Sequence, residues 1–262
     1  MDKLIRLEKQ LVNKGLRLTR SFLNNLSGLV STGELGRRSF DWIRMQIAAQ
    51  TNEYVTLFQD QIEPELLELF ERAVRESHSN LNIAFRGVPV NTISWFHENF
   101  LPMARTIMRN YAGELMQKIE NTLLPALITG TPADEVVKIL IKEIPPATNR
   151  RIEVMVRDQL GHAMQQGIWK TYEQYEDAIQ AYKWVGPSDR RTTTWCKNRK
   201  EITNNEPWTA EEIQKYISTN PLKLQGKEIR ARHGTFLHPH IQCRHRLLAI
   251  PKPARILVRE AI

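Results

Sequence analysis

The sequence predicts a mainly α protein, in which a body of long helices leads into a small C-terminal α+β domain rich in Cys and His. Three observations carry this. Apolar residues recur at spacings of three and four up to about residue 175. After Ala181 they give way to short runs dense in Gly, Pro, Thr, Asn and His. The charge divides at the same place. From Lys183 onward there are 16 Lys and Arg against 7 Asp and Glu, a balance of +9, and the preceding residues balance at −1.

Leu4, Leu7, Leu11, Leu18, Phe22, Leu26 and Leu29 share one face of an amphipathic helix over 3–29, a face that needs a partner surface. The Gly- and Ser-containing stretch 31–38 breaks it, and Ser39 is placed to cap a second helix over 40–78, with a bend expected near Pro64. A loop over 80–91 carries Gly87 and Pro89. Helical periodicity resumes over 95–128, with Pro102 near the start or marking a break. Thr131-Pro132-Ala133-Asp134 combines a capping threonine, a proline for the first helical position and a first-turn acid. That short helix is expected to end at Pro145-Pro146. A further stripe follows: Ile152, Val156, Leu160, Met164, Ile168, Tyr172 and Tyr175. In the C-terminal part, Thr209-Ala210-Glu211-Glu212 forms a capping box, and 229–236 and 243–250 are candidate short strands. The domains expected are therefore 1–182, a helical docking body, and 183–262, the basic Cys/His domain.

The N-terminus intersperses charges among its apolar residues, which leaves no signal-peptide core, and no run is long enough for a membrane span. Two cysteines do not make the disulfide framework of a small secreted domain, which points to synthesis in a reducing cytoplasm. Both of them, Cys196 and Cys243, lie in the C-terminal domain with four of the seven histidines, His233, His238, His240 and His245. Thiolate and imidazole are the donors zinc prefers, and a small domain with little core gains stability directly from such bonds. In Cys243-Arg244-His245 an extended chain would turn both donors to one side, with Cys196 and His238 available from elsewhere. The bland alternative is two buried thiols in a His-rich basic loop. The positive segment points to a polyanion. If Arg190, Arg191, Lys197, Arg199, Lys200, Arg230, Arg232, Arg244 and Arg246 share a face, duplex DNA is the expected partner; the alternative is a solvated basic surface. Asp189, in a Gly-Pro turn three residues before Thr192, fits a local backbone hydrogen bond better than catalysis. Trp184, Trp195 and Trp208 fit a small core better than base stacking, and His97 and His162 fit structural or surface roles.

Trp184-Val185-Gly186-Pro187-Ser188-Asp189-Arg190-Arg191-Thr192, then Cys196, then Trp208-Thr209-Ala210-Glu211-Glu212-Ile213, then Cys243-Arg244-His245-Arg246, resembles in order the C-terminal signature of phage minor head proteins of the Mu-F-like head morphogenesis family. In that family an aromatic and a D-x-x-T step lead to Cys or His seven residues after the aspartate. A His-Pro or Gly-rich turn then precedes Cys-Arg-His or Cys-Arg-Cys. The resemblance covers roughly residues 150–250. His238-Pro239 stands two residues further from Cys243 than the family pattern, so His238 and His240 both remain as the fourth donor beside Cys196, Cys243 and His245. The interchange of Cys with His at two of these positions is what a structural zinc would tolerate. The resemblance implies a non-enzymatic protein of the virion head interior, partnered by the portal protein and capsid, acting in head assembly or DNA ejection. The competing expectations are a phage metal-dependent nuclease, against which no paired acidic cluster or His-Asn-His series is seen, and a DNA-binding regulator, whose short basic recognition helix is not evident.

Overall fold

A computed structural model of the chain describes residues 2–31, 40–190, 192–209, 211–212, 222–224, 227–229 and 243–253. The order is α1 (Asp2–Ser31), α2 (Phe40–Asn80), α3 (Val90–Trp95), a π-helical turn (Phe96–Phe100), α4 (Leu101–Ile128), α5 (Ala133–Lys138), a second π-helical turn (Ile139–Glu143), α6 (Ile144–Gln174), a single 3-10 turn, β1 (Ile179–Val185), α7 (Thr194–Asn205), β2 (Leu222–Leu224), β3 (Lys227–Ile229) and β4 (Arg246–Pro251). The fold is mainly α with a small α+β region, as the periodicity predicts. No helix among the described residues is long and apolar enough to cross a membrane.

The chain forms two compact units, residues 1–67 with 94–160, and residues 68–93 with 161–262. In the first, α1 buries Leu11, Val12, Phe22, Leu23, Leu26 and Val30. The centre of this stripe differs from the expected one: Thr19 and Ser27 are buried, while Leu18 and Leu29 are only partly covered. Each hydroxyl bonds the carbonyl one turn back, Thr19 to Gly15 at 2.9 Å and Ser27 to Leu23 at 2.8 Å, which satisfies its donor inside the core. Thr19 Oγ1 also meets Tyr54 Oη of α2 at 3.1 Å.

The second helix runs through Pro64 as expected, whereas Pro145-Pro146, expected to end a helix, instead lies at the start of one. Pro64 sits inside α2, and Pro145 and Pro146 fall in the first turn of α6, where a missing N–H is tolerated. Each π turn finishes two residues before a proline, at Phe100 before Pro102 and at Glu143 before Pro145. In the first, the Leu101 N–H reaches the carbonyl of Phe96, five residues back. Widening one turn in this way is a recognised accommodation of an interrupted ladder. The start of α5 is also displaced by one residue. Pro132 occupies the cap position, and the Thr131 hydroxyl is engaged with Thr129 Oγ1 at 2.9 Å.

The second unit positions the candidate site. β1 and β4 pair antiparallel, with Tyr182 opposite Ala249 and Trp184 opposite Leu247. A two-stranded ladder leaves both outer edges open, and here α6, α7 and a bridge close them. The Ala249 N–H donates to Tyr172 Oη of α6 at 3.1 Å. The Trp184 N–H donates to Thr203 Oγ1 of α7 at 2.8 Å. Tyr182 exchanges both backbone bonds with Trp208, at 2.7 and 3.0 Å. The core of the unit joins Ala73 and Leu81, Ile168, Trp169 and Tyr172 from α6, Ile179, Tyr182 and Trp184 from β1, Cys196 from α7, and Cys243, Leu247 and Ala249. Gly167 lets α6 approach closely, since a Cβ there would meet the Phe70 carbonyl oxygen at 2.5 Å. The expected border at 182/183 therefore lies within β1, inside this unit. The change of texture marks the end of the long helices, whereas α6 contributes its last turns to the same core.

Candidate metal centre

Two turns bring three donors together. The first follows β1. Thr193 caps α7, its hydroxyl accepting from the Cys196 N–H at 3.2 Å, so the helix starts with Cys196 in its first turn. Thr192 closes the loop before it, donating its hydroxyl to the Pro187 carbonyl at 2.9 Å while its Oγ1 accepts from the Asp189 N–H at 3.2 Å. The Asp189 carboxylate is engaged locally by the Thr192 side chain, whose hydroxyl lies 3.2 Å from Oδ1. It also takes both arms of the Arg244 guanidinium, at 2.6 and 2.7 Å, and this bidentate pair fixes the second turn, Cys243-Arg244-His245. Lys200 Nζ, from α7, donates to the Gly186 carbonyl at 2.8 Å and to Ser188 Oγ at 3.0 Å.

From Cys243 to Ile250 burial alternates residue by residue, with Cys243, His245, Leu247 and Ala249 inward. This is the period-two pattern of extended chain, although the strand itself begins at Arg246. Cys243 and His245 consequently face the same side. Gln165 of α6 donates its amide to the His245 carbonyl. The His245 ring lies parallel to Trp184 at 6.4 Å, with Gly186 against its edge.

Sγ of Cys196, Sγ of Cys243 and an imidazole nitrogen of His245 lie within 4.8 Å of one another, and all three residues are buried. The two sulfurs are 3.8 Å apart and both cysteines are free thiols. That separation is far beyond a disulfide's ~2.05 Å and equals the tetrahedral edge of about 3.8 Å that two zinc–sulfur bonds of about 2.3 Å define. His245 Nε2 is buried and has no hydrogen-bond partner among the described residues. An unpaired nitrogen inside a protein is costly unless something coordinates it. The donor types, the sulfur spacing and this orphaned nitrogen all fit a metal ion. The other two expected donors, His238 and His240, lie outside the described residues, as does His233.

The expected basic face is divided. Arg190 and Lys197 are exposed and Lys200 is partly so. Arg244 is held by Asp189, and Arg246 lies 3.8 Å from Glu76. Arg199 is 7% exposed, so it cannot belong to a DNA-contacting surface: it stands three residues after Cys196 on the inward face of α7. Burial pushes its guanidinium down to about 10, with the charge of Cys196 pulling the other way. Arg191, Arg230 and Arg232 lie outside the described residues. Trp184 is a core residue and Trp208 packs against the core, while the Trp195 side chain is not described. His162 is buried beside Gln166 at 3.1 Å, and His97 is exposed. Sequence reasoning did not single out Gln165, Thr193 or Thr203, nor did it find α7 or β1. The triplet Thr192-Thr193-Thr194 was the available cap signal for α7. Compared with known proteins, the chain matches no family model, no curated protein and no solved structure.

Proposed function

We propose that this chain is a minor structural protein of a tailed-phage head, associated with the portal and acting by binding in head assembly or genome delivery. In this reading its second unit is closed by one structural zinc. The observation that carries it is the convergence of the resembling segments. Trp184, Gly186, Asp189 and Thr192, then Cys196, Trp208, Cys243, Arg244 and His245, are spread over about sixty positions of sequence, and they meet in one small region as wall, turn, pin and donor. A series of motifs that shares one physical job is a stronger ground for the resemblance than any of its pieces.

The donors sit inside the unit rather than in an open cleft, which suits a structural ion better than a catalytic one. Cys196, Cys243 and His245 would hold three positions, with His238 or His240 supplying the fourth. Bound there, zinc would tie the end of β1, the start of α7 and the approach to β4 into one node, and its binding energy would be folding energy. The same unit would contact double-stranded DNA through the cations that remain exposed.

Two measurements test the reading separately. Mass spectrometry of purified procapsids and virions should find the protein in few copies per particle, and its presence only in infected-cell lysate would oppose the head assignment. Metal analysis of the purified protein should give about one zinc per chain. Chelation, or Cys243→Ser, should lower the melting temperature. Fewer than about one zinc in ten chains, with folding unchanged by chelation, would leave two buried thiols and no centre.

A further inference from the structure

Antiparallel pairing satisfies backbone groups only as far as the ladder runs. The ladder of β1 and β4 ends at Val185 opposite Arg246, so Cys243 and His245 lie beyond it. The His245 carbonyl, inside the core, must therefore find its donors elsewhere. Among the described residues two groups meet that oxygen. Gln165 of α6 donates its amide to it, and the Cys243 thiol donates to it weakly, with Sγ 3.9 Å away. Gln165 is 1% exposed, and its Oε1 has no hydrogen-bond partner among the described residues, so the buried amide makes its bond through the nitrogen alone. Metal binding changes this balance. A coordinating thiol gives up its proton, so Cys243 can no longer donate, and its thiolate then stands beside a carbonyl oxygen with no proton between them. Of the two donors, the Gln165 amide is the one that remains.

We infer that Gln165 is a positioning residue of the metal centre, an amide on α6 that fixes the His245 carbonyl once Cys243 is a thiolate and so sets how tightly the centre grips its ion. The inference rests on the zinc reading above. Its hydrogen, held against the carbonyl, offsets the repulsion between that oxygen and the Cys243 sulfur and keeps the chain at His245 in place. The two helices then serve the centre differently. α7 supplies a donor, Cys196, whereas α6 orients the segment that carries the other two. Groups that act on a metal through its ligands in this way change affinity by about ten- to a hundredfold when removed.

The experiment uses the full chain, with zinc affinity measured by chelator competition, melting curves of the zinc-free and zinc-loaded protein, and the d–d bands read after loading with cobalt(II). Gln165→Met keeps an unbranched side chain of similar length and removes the donor. It should bind zinc about ten- to a hundredfold more weakly. Its cobalt bands should weaken and shift as His245 leaves its tetrahedral position, and its zinc-loaded melting temperature should fall further than its zinc-free one. A purely structural glutamine would lower both melting temperatures alike and leave affinity and bands unchanged. That result would overturn the role of Gln165 while leaving the metal centre intact. If the Met variant does not fold, Gln165→Asn decides, since its amide is one methylene short of the carbonyl, and wild-type affinity with superimposable bands there removes the inference. A wild-type chain that takes up neither zinc nor cobalt overturns both readings.

Discussion

Gly186 has no room for a side chain. A Cβ there would stand 2.5 Å from His245 Cδ2, 2.6 Å from Cγ and 3.0 Å from the His245 backbone Cα. The ring cannot simply swing aside, because Trp184 lies parallel to it and Gln165 holds its carbonyl. Gly186→Ala should therefore destabilise the second unit by about 1–3 kcal/mol, the usual range for overpacking, and should reduce bound zinc by displacing a donor. A denaturant melt with parallel metal analysis checks this, and a variant matching the wild type in both would show that the loop yields. At this scale the sequence was informative about kinds and poor about directions. Cys196, Cys243 and His245 stand out by type, and the alternation in Cys243-Arg244-His245 correctly turns the two donors to one side. Nothing in the residue names separates Arg190, which is exposed in the turn before α7, from Arg199, which the phase of α7 carries inward. Nor could composition show that Arg244 would be committed to Asp189, 55 positions away.

Among the elements, α7 depends on its first turn. Thr193 accepts the Cys196 N–H, one of the donors a helix start leaves unpaired. Thr193→Ala should lower stability by about 1 kcal/mol, and because the bonded amide belongs to a donor residue, zinc affinity should fall with it. Calorimetry with chelator competition separates these effects: a lower melting point with unchanged affinity would mean that Cys196 is held by packing alone. The long helices were legible because each repeats its apolar period over many turns. The capping box at Thr209 was legible too, and its bonds form in both directions, with Glu212 Oε2 at 2.8 Å from the Thr209 N–H and Thr209 Oγ1 at 3.2 Å from the Glu212 N–H. β1 was missed because Ile179–Val185 directly follows a helical stripe with Tyr and Trp in the same phase. α7 was missed because its twelve residues are mostly polar and expose most of one side. Pro145-Pro146 misled because proline's prohibition applies to helix interiors, and here the preceding π turn lets a new first turn begin.

For the whole molecule, the division of charge and the division of packing do not coincide. The excess of positive charge starts near Lys183, yet the core around β1 draws on Ala73, Leu81, Ile168, Trp169 and Tyr172. A fragment cut at 183–262 loses these side chains and half of β1. It should show no cooperative thermal transition, and a sharp transition in that fragment would mean that it builds a core of its own. DNA binding is for this reason a question for the full chain. Each phosphate neutralised on duplex DNA releases condensed counterion, so the logarithm of affinity falls with that of salt by about 0.9 per contact. Of the nine cations expected to line one face, Arg199 is buried and Arg244 is committed to Asp189, whereas Arg190 and Lys197 face outward. Reversing both, as Arg190→Glu with Lys197→Glu, should weaken duplex binding without altering sequence preference and should reduce the salt slope by about 2. Arg199→Met, by contrast, should leave the slope unchanged, because that side chain is buried. Affinity measured by fluorescence anisotropy between low and near-physiological salt decides the matter. An unchanged slope in the double reversal, or no binding by the wild type at low salt, would assign the positive charge to protein contacts or solubility.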